Sequence, residues 1–247
     1  MKRCQEPIID TASEFGYRAV MGRPHRASEG GYVYHVLNRA NARMPIFEDE
    51  GDYGAFEKVL AQAVERTQTR LLAYCVMPNH WHLVVWPRED GELSRFVGWL
   101  TLTHTQRWHA HRHNKGTGHL YQGRFKSFPI QEDDHLYAVA RYVERNALRA
   151  NLVRRAERWR WGSLYHWLRN SADDKRLLSA WPLARSANWL KHVNEPHTEA
   201  ELAALRRSVT RGSPFGDQAW CDRAIRQLRL ESTVRPHGRP KKQNNGS

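Results

Sequence analysis

The chain has 247 residues, 40% hydrophobic and 26% charged, and its 39 Lys and Arg outnumber 26 Asp and Glu for a net charge of +13. That length allows one sizeable core plus an appendage, while no apolar run approaches the roughly 20 residues of a membrane span and the opening MKRCQEPIIDTASEFGYRAV lacks a signal peptide's apolar core. A cytoplasmic protein with no membrane role is expected, three scattered cysteines (Cys4, Cys75, Cys221) exclude a disulfide framework, and a pI near 10.0 points to nucleic acid as the partner.

Residues 1–28 read as a polar leader. A first strand is expected over 32–38, where β-branched and aromatic residues alternate. An amphipathic helix follows in FEDEGDYGAFEKVLAQAVERT, with acidic residues near its start and Phe56, Val59, Leu60, Ala63 and Val64 at helical spacing. RLLAYCVM and HWHLVVWP are two strands joined by a tight Pro78-Asn79 turn. LSRFVGWLTLTHTQRWHAHR carries Leu93, Phe96, Val97, Leu100, Leu102 and Trp108, enough periodicity for a helix, and GTGHLYQGRFKSFPI runs from a loop into a fourth strand. EDDHLYAVARYVERNALRANLV is a helix with Leu136, Val139, Ala140, Val143 and Ala147 on one side. Two further helices are expected at roughly 198–210 and 217–229, joined by RGSPFG, before the basic tail RPHGRPKKQNNGS. This order predicts an α+β fold, a ferredoxin-like antiparallel sheet with helices on one side and the other face open. The divisions expected are a leader (1–28), a main domain (29–170), a helical extension (171–232) and a basic flexible tail (233–247).

Two stretches carry chemistry. In MPNHWHLVVW, His80 and His82 lie two apart on a strand and so share a face, with Trp81 on the other. Two such imidazoles suit a divalent metal if a third ligand approaches from another element; the bland alternative is a hydrogen-bonded pair on a polar sheet face. In RYVERN, Tyr142 and Asn146 are four apart on a helix and project together. A phenol can attack a phosphodiester, and an amide oxygen can reach a metal; the alternative is a core tyrosine. Glu144 points off the Tyr142 face and is a poor proton acceptor for it. His104, His109, His111, His113 and His119 cluster in the preceding segment, most of them expected to be solvated or to touch phosphate.

MPNHWHLVVW resembles the His-hydrophobic-His signature of the HUH superfamily, and YVERNALRANLV resembles the Tyr-Ile-x-x-Asn-Pro-Val segment of its single-tyrosine branch. With YHVLNRANARMPIFEDEGDYGAFEKVL, HLYQGRFKSFPI and WRWGSLYHW in the same order, residues 30–168 are similar to the REP-associated tyrosine transposases, relatives of insertion-sequence transposases that act on single-stranded DNA. The resemblance implies an HUH nuclease fold and a metal-dependent DNA strand transferase. In it Tyr142 is the nucleophile that forms a 5′-phosphotyrosine, and His80, His82 and Asn146 hold Mg²⁺ or Mn²⁺. The substrate it implies is single-stranded or hairpin DNA of the repetitive extragenic palindrome kind. Ala147 stands where the family pattern has Pro, which predicts a straighter helix there.

For DNA contact, Arg107, Arg112, Lys115, Arg124 and Lys126 are expected at phosphates, with Trp108 and Tyr121 stacking on bases. The tail supplies Arg239, Lys241 and Lys242 in a segment resembling an Arg-Gly-Arg-Pro minor-groove hook, with a solubilising tail as the alternative. A monomer is expected, a dimer being the other option. The competing function is a catalytically silent hairpin-DNA-binding regulator on the same fold.

Overall fold

The structure, a computed structural model, describes residues 26–113, 118–169 and 177–235. Four strands form one antiparallel sheet: β1 (Val33–Arg39), β2 (Arg70–Met77), β3 (His80–Trp86) and β4 (Lys126–Ile130), in the order β2-β3-β1-β4. This is the ferredoxin-like arrangement expected from the sequence. β2 and β3 form a hairpin whose two-residue turn, Pro78 and Asn79, sets Met77 opposite His80. From that register every second residue of β3 follows: Trp81, Leu83 and Val85 lie in one core, and Val84 in the other.

The first core is sealed by α1 (Glu50–Thr67) and α2 (Glu92–His111). Asp49 caps α1 by accepting from the Asp52 N–H, and Gln68 ends it in the left-handed region at φ 59°. The apolar stripe Phe56, Leu60 and Ala63 faces Phe96, Val97 and Leu100 of α2 over Tyr74, Val76 and Trp81 of the sheet. Leu72 and Ala73 both turn to the second core, because a register shift between Leu71 and Ala73 inserts one extra residue in β2.

The other face is not open, contrary to the expectation. α3 (Asp134–Glu144) lays Leu136, Val139, Tyr142 and Val143 against Val33, Cys75, Val84 and Phe128, and Leu202 and Leu205 of the helix Glu199–Arg211 join them. The apolar residues of α3 match a face that would otherwise leave a row of strand side chains wet. The two helices expected near the C-terminus run over Glu199–Arg211 and Gln218–Gln227. A capping box between Thr198 and Glu201 starts the first, and Gly212 at φ 74° ends it. The connection after Gly212 pairs with the sheet edge: the Phe215 N–H donates to Pro129 O, and the Gln131 N–H to Phe215 O. At the opposite edge the Val76 N–H donates to Trp161 O, and the Ser179 N–H to Leu71 O.

The end of α3 is tied down by a buried carboxylate. Glu144 accepts from Ser163 Oγ at 2.8 Å and from Trp189 Nε1 at 2.7 Å, and its Oε1 lies 3.4 Å from Arg185, which sits over the rings of Trp167 and Trp181. Among the described residues no helix is long and apolar enough to cross a membrane.

Candidate active site

His80 and His82 lie on the face of β3 covered by α3, side by side with ring centroids 5.0 Å apart. β1 is central, so its own residues complete this surface: Leu37 pairs with His82 and Arg39 with His80, while His35, one step along, bonds His82. His35 Nε2 and His82 Nδ1 are 2.8 Å apart in a fully buried bond. Asn79 Oδ1 accepts from His80 Nδ1 at 2.6 Å.

These bonds orient the rings. With Nδ1 of His80 protonated toward the Asn79 amide oxygen, its Nε2 keeps a bare lone pair. The tautomer that places the shared proton on His82 Nδ1 does the same for His82 Nε2, which is buried with no partner. Both rings are held neutral: burial, with the charges of Arg39 and Arg149, lowers His80 to about 3. His82 is pushed well below its ordinary value by burial, then by His80, His35 and the two arginines. A neutral imidazole with an unpaired Nε2 is the form that binds a metal.

Tyr142, 6% exposed, presents its ring edge-on to His82 at 5.7 Å and to His35 at 6.3 Å. α3 ends at Glu144 and α4 (Asn146–Arg149) begins two residues on. Arg145 between them keeps φ −84° and ψ −4°, and the Arg145 N–H still reaches Arg141 O, so the helical course runs through to Asn146. Tyr142 and Asn146 are thereby both buried, as the four-residue spacing requires. Ala147 is fully buried in the second core, where it packs with α3 residues.

Asn146 joins the group through Arg149. The Arg149 guanidinium donates to Asn146 Oδ1 at 2.7 Å and lies 5.2 Å from the centre of the Tyr142 ring, while Asn146 Nδ2 is buried without a partner. The two neutral imidazoles with free Nε2 atoms fit a divalent metal, while Asn146 Oδ1 is occupied by Arg149. Among the described residues no group of three His, Cys, Asp or Glu side chains is placed to hold a metal.

The residues expected to bind DNA separate. Trp108 and Tyr121 are core residues, 9% and 7% exposed, which corrects their assignment as stacking platforms. Trp108 Nε1 donates to Ile46 O, and Tyr121 Oη accepts from Trp81 Nε1 and bonds His104. Arg107 donates to Gln62 and Arg112 to Glu48 and Asp52, on the α1–α2 side of the sheet rather than beside the histidines. Arg124 lines a groove with Arg26, Phe125 and Gln122. Lys126, opposite Leu37 and hence in the row of His82, shares the histidine face. Lys115, Arg239, Lys241 and Lys242 lie outside the described residues.

Four residues of this site were not singled out from the sequence. His35 needed the strand order, which no local pattern carries. Arg39 follows from the same pairing. Arg149 stands three residues after Asn146 and seven after Tyr142, so helical period alone could have placed it on their stripe. His197 arrives from outside the sheet domain: its ring lies 6.2 Å from that of Tyr142, its Nε2 is buried and unpaired, and burial and Arg141 lower it to about 4.

A neutral histidine pair, a buried tyrosine and flanking arginines on a ferredoxin-like sheet make a site suited to an anionic phosphate ester. Residues 29–146, from just before β1 to Asn146, match the family model described as "Transposase IS200 like". Among solved structures the chain is similar to a REP-associated tyrosine transposase bound to a REP hairpin, with 14% identity, a TM-score of 0.47, and coverage of 72% of this chain and 100% of that one. It is also similar to a putative transposase from Deinococcus radiodurans R1, at 22% identity and a TM-score of 0.35, over 45% of this chain and 88% of that one. No curated protein matches the chain.

Proposed function

We propose that the chain cleaves and rejoins single-stranded DNA, with Tyr142 as nucleophile, and that hairpin DNA of the repetitive extragenic palindrome kind is its substrate. The observation that carries this reading is the convergence of Tyr142 with two neutral imidazoles, His82 having its Nε2 buried and unpaired. His80, His82 and Asn146 would hold Mg²⁺ or Mn²⁺, which when bound would polarise a non-bridging phosphate oxygen. Nitrogen donors favour Mn²⁺ at least as much as Mg²⁺.

In the proposed step Tyr142 Oη bonds to phosphorus and the P–O3′ bond breaks, leaving a 5′-phosphotyrosine and a 3′-oxygen that takes a proton from solvent to become a 3′-OH. The candidate acceptor for the phenol proton is His197, whose ring lies 6.2 Å from that of Tyr142 and whose Nε2 is buried and unpaired. A second 3′-OH can then reverse the step on another strand without an outside energy source, because the covalent link replaces one phosphodiester by another. The histidine pair and unpaired nitrogens have no use in a protein that only grips DNA, which is what favours catalysis over the silent-regulator reading.

The test uses a hairpin oligonucleotide labelled at its 3′ end, Mn²⁺ and a denaturing gel. Label should migrate with the wild-type protein and be lost in Tyr142→Phe and His80→Ala. Binding without any adduct, across hairpins with differing 5′ flanks, would support the silent regulator instead.

A further inference from the structure

Among the described residues the site has cations and no counter-charge. Arg39 stands opposite His80 in the β1–β3 ladder, and its Nε is buried without a partner. Arg149 comes from α4, on the helical stripe of Tyr142, and its hydrogen bond goes to the neutral amide of Asn146 rather than to a carboxylate. The charged groups that act on His80 from outside the imidazole pair are these two arginines. A buried or half-buried guanidinium ordinarily finds a carboxylate, as Arg112 does with Asp52 and Arg185 with Glu144. Half-buried Arg39, with its Nε unpaired, and exposed Arg149, bonded to a neutral amide, have no carboxylate among the described residues, and both stand near the histidine pair, arranged for an anion that arrives from outside.

On the reading of this site as a DNA strand transferase, we infer that Arg39 and Arg149 grip the scissile phosphate, and that Arg149 does so by leaving the Asn146 amide. Arg39 presents its free Nε from the floor of the sheet, and Arg149 swings from Asn146 Oδ1 to a phosphate oxygen. That movement frees the amide oxygen for the cation. It also brings one negative charge into a site to which the described residues supply none, so phosphate and metal are each bound more readily with the other present. A phosphodiester is the chemical class required: it offers two non-bridging oxygens to two guanidinium groups, with no dependence on base identity.

The experiment uses full-length protein carrying Tyr142→Phe, so that no cleavage intervenes, and a hairpin oligonucleotide with a single-stranded 5′ flank. Affinity is measured against salt in EDTA, which keeps the result independent of any metal. Each of Arg39→Gln and Arg149→Gln should reduce the log–log salt slope by about 0.7, the value for one phosphate contact on a single strand. Slopes unchanged in both variants would overturn the assignment. In a second measurement, Mn²⁺ is titrated by electron paramagnetic resonance without DNA. Arg149→Gln should bind Mn²⁺ roughly 5-fold or more tightly than its parent, the low end of typical coupling between two sites, because a positive charge is gone and Asn146 Oδ1 is released. An unchanged Mn²⁺ affinity refutes the part of the inference that has Arg149 guarding the amide. Should His80→Ala leave Mn²⁺ binding intact, the metal site itself is misplaced, and the EDTA salt slopes still decide the role of the arginines. Circular dichroism confirms that each variant is folded before either measurement is read.

Discussion

Replacing Glu144 tests whether the candidate nucleophile is held in place by a buried network. Glu144→Ala removes a carboxylate whose side chain is 0% exposed, and with it three partners: Ser163, Trp189 and Arg185, the last 9% exposed. Leaving one buried charge without its partner costs about 3–5 kcal/mol, and each orphaned neutral donor about 1–3 kcal/mol. These losses overlap, because the space left by the side chain admits water to all three groups, so a net loss of about 5 kcal/mol is expected. Against the ~5–15 kcal/mol of a typical domain that is close to the threshold of folding. Glu144→Gln keeps the test readable. Its amide oxygen still accepts from Trp189 and its NH₂ donates to the Ser163 hydroxyl, so the loss is confined to the charge facing Arg185, and about 3 kcal/mol, the low end for a buried charge left without its partner, is expected. Urea unfolding followed by tryptophan fluorescence measures both, with the slope checked for constancy. A Glu144→Ala protein within 1 kcal/mol of wild type, on the scale of an exposed pair, would show that α3 is fixed by its apolar face alone.

Three further outcomes are expected. His35→Ala removes no ligand but releases His82 Nδ1, and should weaken Mn²⁺ binding about 10–100-fold; an unchanged titration would mean that the His82 ring is oriented by packing. Burial lowers His35 and His104 from 6.5 to about 3, so between these values the unfolded chain binds more protons than the folded one. Their stabilisation is complete above pH 6.5 and is lost as pH falls, at about 1.4 kcal/mol per pH unit for each. Thermal melting at pH 6.5 and pH 5, a window above the ordinary carboxylate range, should show the decline, and a flat profile contradicts the neutral burial of these rings. His197→Ala should slow adduct formation about 100-fold without weakening oligonucleotide binding; an unchanged rate would assign the phenol proton elsewhere.

What the sequence revealed divides by range. Alternation in HWHLVVW placed Trp81 in one core and the two histidines on the opposite face, because strand period depends only on neighbours along the chain. The same holds for the stripes of α1 and α2 and for the spacing of Tyr142 and Asn146. His35 was hidden for the opposite reason: its contact with His82 depends on β1 lying beside β3, a pairing 47 residues apart. Trp108 and Tyr121 show a different failure. Basic residues surround both in the sequence, which suggested stacking on DNA, yet the helical stripe already placed Trp108 with Phe96 and Leu100. Tertiary packing followed the stripe rather than the neighbouring charges. Tyr121 meets the core through hydrogen bonds to Trp81 and His104, for which the local sequence has no signature.

Both margins of the sheet are closed by segments that come later in the chain, Trp161 and Ser179 on β2 and Phe215 on β4. An exposed margin is a template on which another copy can add a strand. The ribosome makes the four strands first, so the nascent chain carries two open margins until those segments emerge. A chain ending soon after Asn146 would contain the whole matched family segment and the tyrosine, and would still lack the pieces that stop it from polymerising edge to edge. The helical extension therefore serves solubility as much as the candidate site, and a shortened version of the protein should be sought only beyond Phe215.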